Sequence, residues 1–243
     1  MYNGKTVSVI LPTYNEKDSI QKVIRDFEAL RVVDEIIVVN NNAAPGTSEE
    51  VAATSAREVL EPVQGYGSAI QRGFREAAGD LIAVCEPDDT FLAADLFKLL
   101  VYSEDVDIVY GSRTVRHFIW DNANMGRFLQ WGNYFVAKLV ELLFNTNYLS
   151  DVGCTYRLIN RRPLMMMLPE LKVHGNFFGP EMMVRGYLMN FRAIQLPVNY
   201  KERIGDSSVT GSLRKAFYLG IQMILLIIAM RFKADKLLLK VIK

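Results

Sequence analysis

Three short runs of aliphatic residues decide what this chain can fold into: Val7-Ser8-Val9-Ile10-Leu11, Ile36-Ile37-Val38-Val39 and Leu81-Ile82-Ala83-Val84. They are too short for helices and almost wholly apolar, so they read as strands buried on both faces. Strands of this kind belong to mostly parallel sheets sandwiched between helices. Helical spacings fill the gaps. Ile20, Val23, Ile24, Phe27 and Leu30 share one helix face, and Ala69, Ile70, Gly73, Phe74 and Ala77 share another. A strand at 57–60, a helix at 93–100 and a strand at 106–110 continue the alternation. The expected fold is α/β, a Rossmann-like, mostly parallel sheet with helices on both faces.

In such a sheet ligands bind beyond the carboxyl ends of the strands. Here Leu11 gives way to Pro12-Thr13-Tyr14-Asn15-Glu16, Val39 to Asn40-Asn41-Asn42, and Val84 to Cys85-Glu86-Pro87-Asp88-Asp89. Pro12 is expected to end its strand. Carboxylates at 86, 88 and 89 are hard oxygen ligands at the lip of a cleft. They suit Mg²⁺ or Mn²⁺ and, through the ion, a diphosphate. The same residues also suit a capped turn in which Asp88 or Asp89 starts the next helix.

The second half is less regular. Helices are expected at 127–144 and 180–189, the latter with Pro180 in its first turn, and a strand at 194–199. Residues 216–230 are apolar except for Gly220 and Gln222. That is short of the roughly 20 residues that span a bilayer. From 231 onward there are five basic residues and one acidic one, beside Leu237, Leu238, Leu239, Val241 and Ile242. An apolar helix followed by a basic amphipathic segment suits an anionic membrane surface. Core packing and a homo-oligomer interface are the other readings of that run. The expected division is a globular domain at 1–212 and a membrane-associating helical tail at 213–243. A net charge of +1 gives no case for nucleic acid. Cys85 and Cys154 lie far apart without metal-ligand spacing and read as buried thiols of a reducing compartment. A strand begins almost at once, so no signal peptide is expected.

The order of these strand ends, followed by Gly65-Tyr66-Gly67-Ser68, Ala78-Gly79-Asp80, Glu86-Pro87-Asp88 and Gly111-Ser112-Arg113, resembles the family 2 glycosyltransferases with the GT-A fold. More narrowly it resembles their polyprenyl-phosphate branch, the relatives of dolichol-phosphate mannose synthase, over residues 6–210. The resemblance implies an inverting, metal-dependent hexosyltransferase, peripheral at the cytoplasmic face of a membrane. Its donor would be a nucleotide diphosphate sugar, and its acceptor a polyprenyl phosphate or a glycan hydroxyl of the cell surface. A nucleotide-sugar-binding protein without catalysis is the alternative from another class.

The resemblance also distributes roles. Glu86 and Asp88 would hold Mg²⁺ or Mn²⁺, with Glu86 where the family usually has aspartate. Pro12, Tyr14 and Glu16 would meet the nucleoside. Asn40 and Asn41 stand where aspartates read the base, leaving uracil and guanine open. Gly67, with Gly65, would let the backbone approach the ligand. Arg113 and the stretch Arg203-Ile204-Gly205-Asp206-Ser207 would face the diphosphate through Arg113, Arg203 and Ser207. Arg127 would meet an acceptor phosphate, although Trp131 stands one turn later where a small hydroxyl is usual. Asp151, opening Asp151-Val152-Gly153-Cys154-Thr155-Tyr156-Arg157, would approach acceptor or sugar, and Arg157 would support the structure by pairing with a carboxylate. Glu181 would be the base for a hydroxyl acceptor. Asp88, Asp151 and Glu181 are thus the expected catalytic group.

Overall fold

The computed structural model describes residues 1–123, 126–146, 148–205 and 213–233, with 127–129 and 213–216 as backbone only. The elements run β1 (Val7–Thr13), α1 (Lys17–Glu28), β2 (Glu35–Asn40), α2 (Thr47–Ala52), β3 (Arg57–Leu60), α3 (Tyr66–Glu76), β4 (Leu81–Val84) and α4 (Leu96–Tyr102). They continue with β5 (Ile108–Ser112), α5 (Arg127–Phe144), β6 (Arg157–Asn160), α6 (Arg161–Met167), α7 (Phe178–Leu188), β7 (Ala193–Pro197) and α8 (Leu213–Arg231). The strands form one seven-stranded sheet in the order β3-β2-β1-β4-β6-β5-β7. Every pairing is parallel except those of β6, which is antiparallel to β4 and β5.

The aliphatic runs explain this layering. Alternate residues of β1 supply both sides of the sheet: Ile10 joins one buried cluster, Val9 and Leu11 the other. The first cluster lies under α3 and α5–α8 and gathers Phe74, Tyr110, Phe178, Met182 and Leu226. The second lies under α1 and α4 and gathers Ile24, Phe27, Leu96 and Leu158. α8 belongs to the first cluster through Met223, Leu226, Ile227 and Met230. No helix among the described residues is long and apolar enough to cross a membrane. Of the basic stretch expected from 231 onward, residues 234–243 lie outside the described residues.

Three local expectations are corrected. β1 does not stop at Pro12 but runs to Thr13. β4 pairs with β1 only as far as Ile10, so the proline's missing N–H falls where that side has no ladder partner. β5 runs to Ser112 rather than 110, because Gly111 admits the Tyr156 carbonyl so closely that a Cβ there would lie 2.8 Å from it. The helix expected at 93–100 begins as a 3-10 turn at Ala93–Asp95 before α4 proper. Asp95 is buried there, holding the backbone N–H and side chain of Asn199 just past β7.

Candidate active site

The turn after β1 is organised by Glu16. Its Oε2 accepts the N–H groups of Tyr14 at 2.7 Å and Asn15 at 2.9 Å. Its Oε1 lies 3.0 Å from Nη2 of Arg203, whose Nη1 lies 3.0 Å from Oδ2 of Asp88. One guanidinium thus joins the β1 turn, the loop after β4 and the segment after β7. Asp88 is buried, and its Oδ1 accepts the N–H and hydroxyl of Thr90 at 3.0 and 2.6 Å. Its Oδ2 is an ion-pair partner only. Among the described residues no hydrogen-bond donor meets that buried oxygen. Asp89 turns away at φ 63° to meet Lys22 and Lys201 at 2.9 and 2.8 Å. Glu86, half-buried, lines the cavity beside them. Burial first and the Asp88 charge second push its carboxyl up to about 8. Two carboxyls so placed do not both ionise readily without a cation between them.

Arg113 is fixed from below by Asp151. Asp151 Oδ2 accepts the backbone N–H at 3.0 Å and Nε at 2.9 Å, and Oδ1 accepts Nη2 at 3.0 Å. Oδ1 also takes the Gly153 N–H at 2.9 Å. Asp151 is wholly buried. Burial raises its carboxyl, but the Arg113 charge and these donors outweigh that and leave it below the usual carboxylate range. The guanidinium of Arg113 also lies over the Tyr200 ring, 5.5 Å from its centroid. Asp151 therefore aims Arg113 and keeps neither oxygen free for a substrate.

Other expected site residues have internal work. Asn41 donates to the carbonyls of Glu61 and Val63, and its Oδ1 accepts from Gly65 N–H and Gln64. Asn40 donates to Glu58 and Ser48 and accepts from the Ala43 N–H; it does not line the cavity, whereas Asn41 does. Gly67 also lies off the cavity. A Cβ there would sit 2.3 Å from the Val173 carbonyl, so the close approach it permits is to the chain's own backbone. Glu181, in the first turn of α7, is buried, with Oε1 accepting the Lys172 N–H at 2.8 Å and Oε2 the Val173 N–H at 2.9 Å. It anchors that loop, and each oxygen already has a backbone donor. Arg127 opens α5, but its side chain and all of Ser207 lie outside what the structure describes.

Pro12, Tyr14, Glu16, Asn41, Glu86, Arg113 and Arg203 all line one cavity of about 920 Å³. Apolar residues of α5, α7 and α8 line the same cavity, Phe135, Met182, Phe217 and Ile221 among them. The sequence pattern did not single out three further lining residues for the site: Tyr66, Thr155 and Arg157. Arg157 does not pair with a carboxylate as expected. It donates to the carbonyls of Cys154, Gly179 and Val152. Burial first, then the Glu86 charge, push the Tyr66 hydroxyl well above its usual range.

The chain is 29% identical to an uncharacterized glycosyltransferase of Mycobacterium bovis, Mb0553, over 87% of this chain and 93% of that one. It is 23% identical to a dolichyl-phosphate hexose transferase of Haloferax volcanii, covering 86% and 88%. Among solved structures, glucosyl-3-phosphoglycerate synthase of Mycobacterium tuberculosis in complex with Mn²⁺, UDP-glucose and phosphoglyceric acid superposes with a TM-score of 0.73 at 18% identity, covering 94% of this chain and 80% of that one. That likeness shows the fold, GT-A. Residues 8–166 match the family described as Glycosyl transferase family 2, and the chain belongs to that family of enzymes.

Proposed function

We propose that this glycosyltransferase moves a hexose from a nucleotide diphosphate sugar to a polyprenyl phosphate at a membrane surface, with inversion at the anomeric carbon. The observation that carries this reading is the mixed lining of the cavity. Charged groups suited to a diphosphate share one chamber with an apolar wall suited to an isoprenoid chain. That wall continues to the surface, where Trp131, Phe135 and Phe217 are 68%, 65% and 61% exposed. A relative named for a dolichyl-phosphate acceptor, and solved neighbours holding UDP with Mn²⁺, fit the same reading.

The geometry supports a role for each of these groups. Arg113, aimed by Asp151, and Arg203, steadied by Glu16, offer guanidinium groups to the leaving diphosphate, where negative charge grows as the sugar departs. Glu86 and Asp88 fit a divalent ion. Both are hard oxygen donors, Asp88 Oδ2 is a buried oxygen without a hydrogen-bond donor among the described residues, and burial first and the Asp88 charge second raise the Glu86 carboxyl, a strain a cation would relieve. Among the described residues no third His, Cys, Asp or Glu joins them. The remaining ligands would come from substrate and water, the usual way Mg²⁺ is held. When bound, Mg²⁺ or Mn²⁺ supplies further charge stabilisation to the diphosphate. A lipid phosphate, with a second pKa of about 6, is already anionic at neutral pH. In-line attack by its oxygen then needs no general base, in keeping with the backbone-bound Glu181.

The test is transfer itself. Detergent-solubilised protein is given Mn²⁺, radiolabelled UDP- or GDP-hexose, and a polyprenyl phosphate beside a soluble glycan. Label should enter the organic phase in an acid-labile lipid product. Label found only on the soluble glycan would replace this reading with a hydroxyl acceptor.

A further inference from the structure

Arg157, Tyr66 and Thr155 take no part in the machinery described above, yet all three line its cavity. Arg157 is the first residue of β6, in register with Val84 on one side and Tyr110 on the other, and is 4% exposed. Arg113 and Arg203, which share the cavity, are each matched by carboxylates. Arg157 has no such partner among the described residues. Its donors meet three backbone carbonyls, and its guanidinium lies 5.3 Å from the Tyr110 ring centroid. Carbonyls and a ring face solvate a cation but do not neutralise it, and a buried charge without a counter-charge is strongly unfavourable. Beside it, the hydroxyls of Tyr66 and Thr155 are both buried without a hydrogen-bond partner among the described residues. Native folds leave few such groups, and those they leave call for an explanation.

We propose that Arg157, Tyr66 and Thr155 form an anion subsite that receives the phosphate of the acceptor. This rests on the polyprenyl-phosphate reading and deepens it. A phosphate monoester brings close to two negative charges and three strong acceptor oxygens, which match one unneutralised guanidinium and two undischarged hydroxyl donors. A sugar ring in the same place would satisfy the hydroxyls but leave the arginine unmatched. The proposed donor diphosphate is already matched by Arg113 and Arg203, which line the same cavity. Met182, Met223 and Ile224 line the same cavity and give the isoprenoid chain an apolar way out.

Arg157 holds three carbonyls, so its removal endangers the fold. The two hydroxyls hold nothing, and the doubly substituted protein Tyr66→Phe, Thr155→Val should melt as the wild type does. The experiment measures binding of farnesyl phosphate, farnesol, inorganic phosphate, and UDP or GDP and their hexose conjugates with Mn²⁺, by calorimetry on the full chain in detergent. The double variant should lose affinity for farnesyl phosphate by on the order of tenfold or more. Its affinity for farnesol and for the nucleotide should not move. Inorganic phosphate should compete with farnesyl phosphate while binding more weakly; equal affinity would make free phosphate the ligand and overturn the assignment. Unchanged farnesyl phosphate affinity in the variant overturns the subsite alone. A wild-type protein that binds farnesyl phosphate no better than farnesol overturns the acceptor reading instead. A loss seen only with the nucleotide sugar, and not with the bare nucleotide, would hand the subsite to the donor sugar.

Discussion

Asp151 and Glu181 are both buried carboxylates whose oxygens are spoken for, and each makes its own prediction. Asp151 balances the Arg113 charge, so Asp151→Asn should destabilise by about 3–5 kcal/mol, the usual effect of breaking a buried pair. Its pKa is lowered on folding, so its contribution is present above the unfolded value of about 3.9 and is lost as pH falls through the folded one. The urea-midpoint gap between wild type and Asp151→Asn should therefore close as pH drops below about 4. Glu181→Gln turns an amide donor toward one backbone N–H and should lose about 1–3 kcal/mol of stability. Its turnover should stay far above the ~10²–10⁴-fold loss that follows removal of a general base. Asp88→Asn should lower transfer by at least ~10²-fold while far-UV circular dichroism is unchanged. The candidate residues at the strand ends were legible in the sequence because a strand's last residues are fixed locally. Their partners were not: Glu16 reads as a nucleoside contact until Arg203, 187 positions away, is brought to its other oxygen.

Elements were legible wherever hydrophobic period and length agreed, as in β1, β2, β4, α1 and α3. The direction of β6 was not. A four-residue apolar strand carries the same pattern whichever way it runs, and only its pairing with β4 and β5 shows it antiparallel. That reversal places Arg157 at the carboxyl end of β4, beside Val84. Gly67 shows how α3 is seated. Its Cα faces the Val173 carbonyl and Phe178 Cβ, where a methyl group would lie 2.3 and 3.0 Å away. Gly67→Ala should separate α3 from the loop ahead of α7 and cost about 1–3 kcal/mol by overpacking, measured by chemical denaturation.

At the scale of the whole molecule, α8 was the hardest stretch to read, because an apolar run alone does not say what covers it. One side, through Leu226 and Ile227, is core; another, through Phe217 and Ile221, is cavity wall and surface. The Trp131, Phe135 and Phe217 cluster should carry the membrane contact. Replacing all three with serine should abolish co-flotation with anionic vesicles and leave the melting temperature near that of the wild type, since exposed side chains hold little of the fold. On the proposed reading the exposed aromatic residues also set the dimensionality of the reaction. The nucleotide sugar would arrive from a volume, whereas a lipid acceptor would arrive along a plane, already concentrated and oriented there. Its effective concentration is then a mole fraction within the bilayer. Diluting the acceptor with inert lipid, at constant acceptor per litre, should slow transfer as steeply as removing the acceptor itself.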